Sequence, residues 1–235
     1  MKFSNEIWAV VPARSGSKSI KHKNIKKFNG KPLLAHSIII AKRSKKISNI
    51  IFSSDSQKYI NIAKKYGDII AHKRSIKNSS DNATDFDLFK EIVNFLIKKK
   101  IYLPKFFVHL RPTTPLRKIS HIDNAIKIMK KNSKNYNSLR SINSMSETSY
   151  KTLRIVNKKL CGITKLDFDM DKFNLPRNMY SDTFEANGIV DIYKTKNIIN
   201  GYLLGKKVFP YKIDFLNSDI NTQNDFKIFE KLKTI

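Results

Sequence analysis

The sequence predicts an α/β fold with a mostly parallel sheet covered by helices on both faces. Two patterns carry that expectation. Short apolar runs ending in polar residues alternate with segments of helical period from Ile7 to about Ile142, and this alternation builds parallel sheets. The first run, Ile7-Trp8-Ala9-Val10-Val11, leads into a small-residue basic loop, Pro12 to Asn24, with a helical pattern beyond it. Small residues let backbone N–H groups approach an anion, while Arg and Lys neutralise it. Arg14 offers a bidentate fork to phosphate oxygens, and Lys18, Lys21 and Lys23 offer movable point charges. A solvated basic loop is the bland alternative in a lysine-rich chain.

The elements follow in order. The first strand is expected over about residues 6–11. Pro32 suits the first turn of a helix carrying Leu34, Ile38 and Ala41. Residues 50–55 read as a buried strand, and Ser56 as the cap of a helix striped by Tyr59, Ile62, Ala63 and Tyr66 and stopped by Gly67. A short strand over residues 68–72 precedes a polar loop. Phe86, Phe89, Ile92, Val93 and Leu96 mark a helix, and residues 106–110 a strand. Ser120 with Asp123 reads as a capping box for a helix lined by Ile122, Ala125, Ile126 and Met129. From Ser141 to Glu185 the alternation fails, and about residues 143–184 are read as an insertion. Strands resume over residues 188–193 and 207–213. Thr222 with Asp225 caps a last helix bearing Phe226, Phe229 and Leu232. The whole of residues 1–235 is read as one domain. In such sheets ligands sit at the carboxyl ends of the strands, which brings the opening loop, Ser54-Asp55 and Arg111-Pro112-Thr113 to one crevice.

Composition narrows the class. At 235 residues and 40% hydrophobic content the chain has ample core and is not disordered. The net charge of +27 raises nucleic-acid binding. The lysines, however, are spread along almost the whole chain, several near helix C-termini where cations meet the dipole. No specific nucleic-acid site is expected. Cys161 is the only cysteine, which fits a reducing compartment. No stretch reaches the ~20 apolar residues of a spanning helix, so a cytoplasmic protein without a membrane segment is expected. His22, His36, His72, His109 and His121 lack metal-ligand spacing and read as structural or surface residues. Asp167, Asp169 and Asp171 read as solvated.

The opening loop is neither a Walker A motif nor G-x-G-x-x-G. Its order, P-A-R-x-G-S-K-x-I-x-x-K-N, resembles the nucleotide loop of the acylneuraminate cytidylyltransferases, the CMP-sialic acid synthetase family. Further segments resemble that family in order: Gly30-Lys31-Pro32-Leu33, Ser53-Ser54-Asp55, Arg74 followed by Ser80-Asp81, Leu110-Arg111-Pro112-Thr113-Thr114-Pro115-Leu116-Arg117, Pro176-Arg177, Asn187-Gly188, and Ser218-Asp219-Ile220-Asn221-Thr222. The resemblance implies a three-layer, Rossmann-like nucleotide-diphospho-sugar transferase fold. It also implies transfer of CMP from CTP to the anomeric hydroxyl of a nine-carbon 2-keto sugar acid, with release of pyrophosphate.

By the same resemblance, Arg14, Lys18 and Lys23 hold the triphosphate and carry the catalysis, with Ser17 and Asn24 at the nucleotide. Arg74 and Asp81 border the cytosine pocket. Arg111, Pro112, Thr113, Arg177, Glu185 and Asn187 face the sugar acid. Asp219 and Asn221 bind Mg²⁺, a hard ion that prefers oxygen. Family members are usually homodimers, so the insertion is expected to reach a partner, with Arg177 serving the neighbouring pocket. Each residue has a plainer reading: Arg74 as a surface cation, Asp219 as an acid before a helix, Asp55 and Asp81 as turn or cap residues.

Three positions depart from the family. Arg111 stands for Gln, Glu185 for a second Arg, and Asn221 for the second Asp of D-I-D. An acid at position 185 repels a carboxylate, and Arg111 is the candidate to bind it instead. The substrate is then expected to be sialic-acid-like, with a legionaminic- or pseudaminic-type acid, or an amino-substituted sugar, as suitable as N-acetylneuraminate. The alternatives are transfer to an eight-carbon keto acid, a degenerate homologue that binds CTP without turnover, or a basic nucleic-acid binder.

Overall fold

A computed structural model of the protein describes residues 1–163, 170–171, 175–213 and 219–231. The sequence readings at Asp167, Phe168, Asp169, Ser218 and Leu232 lie outside the described residues. In chain order the strands and helices are β1 (Ile7–Pro12), β2 (Lys27–Phe28), β3 (Lys31–Pro32), α1 (Leu33–Arg43), β4 (Asn49–Ser54), α2 (Gln57–Lys64), β5 (Ile70–Lys73), α3 (Asp85–Lys98), β6 (Phe106–His109), α4 (Ile119–Asn132), β7 (Ser138–Ser144), β8 (Leu153–Val156), β9 (Lys159–Gly162), β10 (Phe184–Lys194), α5 (Thr195–Ile199), β11 (Val208–Lys212) and α6 (Gln223–Lys231).

Seven strands form one sheet in the order β11-β7-β10-β6-β1-β4-β5. The pairs β1–β4, β1–β6, β4–β5 and β7–β11 are parallel, whereas β10 runs antiparallel to both β6 and β7. The expected mostly parallel sheet is therefore present, in mixed form. Alternate residues of β1 feed opposite faces, as the period of two requires. Ile7, Ala9 and Val11 pack with Leu34, Ile38, Tyr59, Ile122 and Ile126, from α1, α2 and α4. Trp8 and Val10 pack with Leu88, Phe89, Ile92 and Leu96 of α3 and Ile198 of α5. Two helical layers thus sandwich the sheet. A third cluster, in which Ile20, Phe28, Leu33, Leu116, Ile220 and Phe226 pack together, docks α6 against the opening loop.

Several local readings need correcting. Ser141 to Ser144 belong to β7, and β10 already begins at Phe184, so the excursion from the sheet is shorter than read. It contains the β8–β9 hairpin, a separate two-stranded sheet. α4 starts at Ile119, which places Ser120 inside it. Asp123 does not cap that helix but accepts from the Ser44 hydroxyl at the end of α1. The helix after β4 ends at Lys64 with Lys65 as its C-cap, so Gly67, which lies beyond it without a positive φ, is not its stop. Two caps stand as read: Ser56 Oγ accepts from Tyr59 N, and Asp225 Oδ2 accepts from Thr222 N at 2.7 Å. Among the described residues no helix is long and apolar enough to cross a membrane.

Candidate active site

β1, β4, β5 and β6 all end on one edge of the sheet, and the loops after β1, β5 and β6 enclose a cleft of about 360 Å³, with Asp55 after β4 beneath the first of them. Its walls include Arg14, Asn24, Arg74, Asp81, Arg111, Pro112 and Thr113. Seven of the residues singled out in the sequence therefore meet at one place. Larger clefts, up to about 640 Å³, lie toward the other ends of the strands and hold none of these residues.

The loop after β1 is fixed from beneath. Asp55, at the end of β4, accepts from both the backbone N–H and the hydroxyl of Ser15, at 2.8 and 2.5 Å. The Asn24 amide donates to the Arg14 carbonyl at 3.0 Å. These bonds hold the loop backbone and leave Lys18, 81% exposed, reaching outward. Ser17 is partly buried beside it. Lys23 is different: it is half-buried and donates to the Ile220 carbonyl at 2.8 Å. Burial pushes its pKa down, against the pull of Asp219 and Asp225.

The loop after β5 forms one wall. Glu91 of α3 holds its base by accepting from Ser75 N, Ser75 Oγ and Asn78 Nδ2. Arg74 is only 9% exposed, and its Nε has no hydrogen-bond partner. Burial pushes the Arg74 pKa down, although Glu91 and Asp55 oppose this. Asp81, which lines the cleft, is ion-paired to Arg14 at 3.1 Å and Lys18 at 2.6 Å.

The floor is an ion network absent from the sequence reading. Arg111 bridges Asp85 at 2.7 Å and Asp191 at 3.0 Å, and Arg140 reaches Asp191 at 3.2 Å. The Tyr193 hydroxyl also donates to Asp191, at 3.0 Å. Two cations and two anions cancel, so Arg111 is a strut between α3 and β10 rather than a free anchor for a carboxylate. Its pKa is raised, because Asp191 and Asp85 outweigh the burial that pushes it down. Arg117 is buried and makes no carboxylate contact among the described residues. It donates to the Ile189 and Arg111 carbonyls and to Ser37 Oγ. Burial lowers its pKa to about 9, still cationic at neutral pH.

β10 bulges between Ala186 and Asp191. Gly188 sits there at φ +67°, where a Cβ would meet Thr114 Oγ1 at 3.3 Å. Asn187 is 1% exposed and holds the bulge: its Oδ1 accepts from Ser141 Oγ and Ile189 N, and its Nδ2 donates to Asn143. It shapes the cleft from behind and does not line it. Glu185 and Arg177 are exposed and lie outside the cleft walls, with Arg177 donating to the Met145 carbonyl at 2.8 Å.

Asp219 lies beside the cleft, because Ile220 N donates to the Thr113 carbonyl at 2.8 Å. Asn221 Nδ2 donates to Asp219 Oδ2 at 3.0 Å, and the buried Oδ1 has no partner. An unpartnered buried carboxylate oxygen fits a hard cation. No group of three or more His, Cys, Asp or Glu side chains converges among the described residues. Mg²⁺ is commonly held by one or two carboxylates together with substrate phosphates.

Asp85, His109, Arg140, Asp191 and Tyr193 were missed as site residues. One signal was available: an arginine in place of Gln at position 111 calls for compensating acids nearby. His109 is fully buried at the floor. Burial, reinforced by Arg111, pushes its pKa down to about 3 despite Asp85 and Asp191. An unfolded imidazole titrates near ~6.5. Between these values the unfolded chain binds the proton and the fold does not, so stability falls as the pH drops through that window. Asp85 adds a loss of the same sign at lower pH. Burial pushes it up, but the positive field of His109 and Arg111 holds it at about 2. Melting temperature is expected to fall between pH 7 and pH 5, and His109→Gln to flatten that fall; an unchanged slope would clear His109 as its source.

A cationic loop, a buried arginine with no ion-pair partner among the described residues, and the Asp219 carboxylate beside the cleft suit a nucleotide-using transferase. The chain belongs to the cytidylyltransferase family, of the acylneuraminate and nonulosonic-acid type, and residues 8–197 match the family description. It is 32% identical over 240 positions to the CMP-N,N'-diacetyllegionaminic acid synthase of Legionella pneumophila, covering 96% of this chain and 95% of that one. It is 28% identical over 233 residues to the post-translational flagellin modification protein B of Campylobacter coli, covering 97% and 95%. Against the N-acylneuraminate cytidylyltransferase of Escherichia coli the identity is 29% over 95% of this chain, which spans 51% of that protein. A CMP:2-keto-3-deoxy-manno-octonic acid synthetase structure shares the fold, with a TM-score of 0.69, 14% identity, and coverage of 97% and 98%.

Proposed function

We propose that the protein transfers CMP from CTP to the anomeric hydroxyl of a nonulosonic-type sugar acid. The observation that carries this reading is where unsatisfied polar atoms collect. Arg74 Nε, His109 Nε2 and Asp219 Oδ1 are buried without partners. Two of these residues line the cleft and the third lies against it. Buried polar atoms are normally satisfied, so a polar ligand completes this site.

In this reading Arg14 and Lys18 hold the phosphate oxygens, with Ser17 at the loop crest. Asn24 fixes Arg14, and Lys23 stands between the loop and Asp219. Arg74 suits the two acceptors of a cytosine edge. Asp219, steadied by Asn221, would hold Mg²⁺, which neutralises phosphate charge and lowers the pKa of a coordinated hydroxyl when bound. The anomeric oxygen bonds to the α-phosphorus as the bond to the pyrophosphate oxygen breaks, and the hydroxyl proton passes to solvent. The cations matter because negative charge is spread over the transferring group.

The sugar acid is proposed to lie beyond Pro112 and Thr113, toward Glu185. The legionaminic-type relative, at 32% identity over nearly the whole of both chains, favours a nine-carbon acid over an eight-carbon one. The product is proposed to feed a surface glycan, in line with the flagellin modification relative. The reaction is proposed to run in the cytoplasm, where CTP is made. A homodimer is part of the proposal: Ile155, Leu160 and Met179 of the excursion are 75%, 53% and 67% exposed, an apolar surface suited to a second copy. Arg177 would then serve the partner's sugar.

The test is pyrophosphate release from CTP and Mg²⁺ with a panel of eight- and nine-carbon keto sugar acids. Turnover with a legionaminic- or pseudaminic-type acid is expected. No turnover with any acid, together with no CTP binding, would sink the proposal.

A further inference from the structure

We propose that Asp81 is an internal substitute for phosphate. It occupies the phosphate grip when the site is empty and competes with pyrophosphate for it after transfer. The inference rests on the reading of the loop as a triphosphate site, and it reverses the part expected of Asp81 from resemblance.

The geometry is that of an anion in a cation fork. Each carboxylate oxygen of Asp81 takes one cation: Oδ1 lies 3.1 Å from Arg14 Nη1, and Oδ2 lies 2.6 Å from Lys18 Nζ. Arg14 Nη1 also donates to the Ser80 carbonyl at 2.8 Å, so two successive residues of one loop occupy the grip. A triphosphate needs the same donors and cannot share them with Asp81.

The mounting allows displacement. The base of the loop is fixed by Arg74 N on the Ser54 carbonyl and by Ser75 and Asn78 on Glu91. Asp81 lies beyond these anchors, with a side chain 43% exposed. An exposed ion pair is weak, whereas a triphosphate brings several charges to the same cations. Asp81 therefore yields to the substrate. While the site is empty it keeps two like charges in grip geometry, and it contests the grip again when pyrophosphate is due to leave. It is a positioning residue: it acts through Arg14 and Lys18.

Calorimetric titration with pyrophosphate and with CTP, wild type against Asp81→Asn, tests this. Both are expected to bind about fivefold tighter to the variant, the worth of one exposed ion pair. Product inhibition by pyrophosphate is expected to strengthen by the same factor. In a Lys18→Ala background the gain from Asp81→Asn is expected to shrink. If wild type binds both ligands and the variant binds them equally or more weakly, Asp81 is a ligand or a plain structural residue and the inference falls. If wild type binds neither ligand, the triphosphate reading fails first and takes this inference with it.

Discussion

Asp191→Ala is expected to cost about 3–5 kcal/mol of folding stability, the range for leaving a buried charge network without its anion. The Asp191 side chain is 2% exposed and accepts from Arg111, Arg140 and the Tyr193 hydroxyl. Its removal leaves two guanidinium groups with only Asp85 between them, at a site that water enters poorly. Arg111 is 25% exposed and Arg140 31%, so some of the loss is softened by solvent. Arg140→Met added to Asp191→Ala is expected to restore part of the loss, because it removes one of the stranded cations. Urea unfolding of both variants checks this; a single-variant loss below about 1 kcal/mol, the size of an exposed pair, would falsify the strut.

Asp219→Ala is expected to lower kcat by more than about a hundredfold, since partners one step removed from a metal already account for 10–100-fold. Stability is expected to hold or rise slightly, because the lost Oδ1 is buried with no partner in the empty protein. Asn221→Ala, which removes the 3.0 Å bond to Asp219 Oδ2, is expected to lose about 10–100-fold and to need more Mg²⁺. Initial rates over a Mg²⁺ series, with thermal melts of the same samples, separate the two effects. An Asp219→Ala enzyme with wild-type kcat would remove the metal assignment.

These contrasts show what the sequence carries and where it goes silent. β1, β4, α2 and α3 were legible because their apolar residues repeat at two or at 3.6 positions. β7 was not. Its buried positions include Ser138, Ser141 and Asn143, and the last two are satisfied by the Asn187 bulge. A strand whose inward face is polar gives no hydrophobic alternation to read. The same divide runs through the site. Arg14, Asn24, Arg74, Arg111 and Thr113 were readable as motif positions, and they do converge. The acids that hold Arg111 were not, because Asp85 and Asp191 lie 26 and 80 residues from it, in contexts that read only as a helix start and a strand. Asp81 was legible as a residue of the site but not in its pairing, which depends on how two loops fold toward each other.

The docking of α6 has a consequence for how the protein loses function. Lys23 reaches the Ile220 carbonyl across 197 residues, and Phe226 seats against Phe28 and Leu33. That cluster is small and stands apart from the two clusters that bind the helices to the sheet. Small peripheral units open more readily than the core. Opening here carries away Asp219 and frees Lys23 while the seven strands stay paired. Two melting events are therefore expected, a local one that ends competence and a global one that ends the fold. Nucleotide, which needs both sides of the junction, raises the first toward the second.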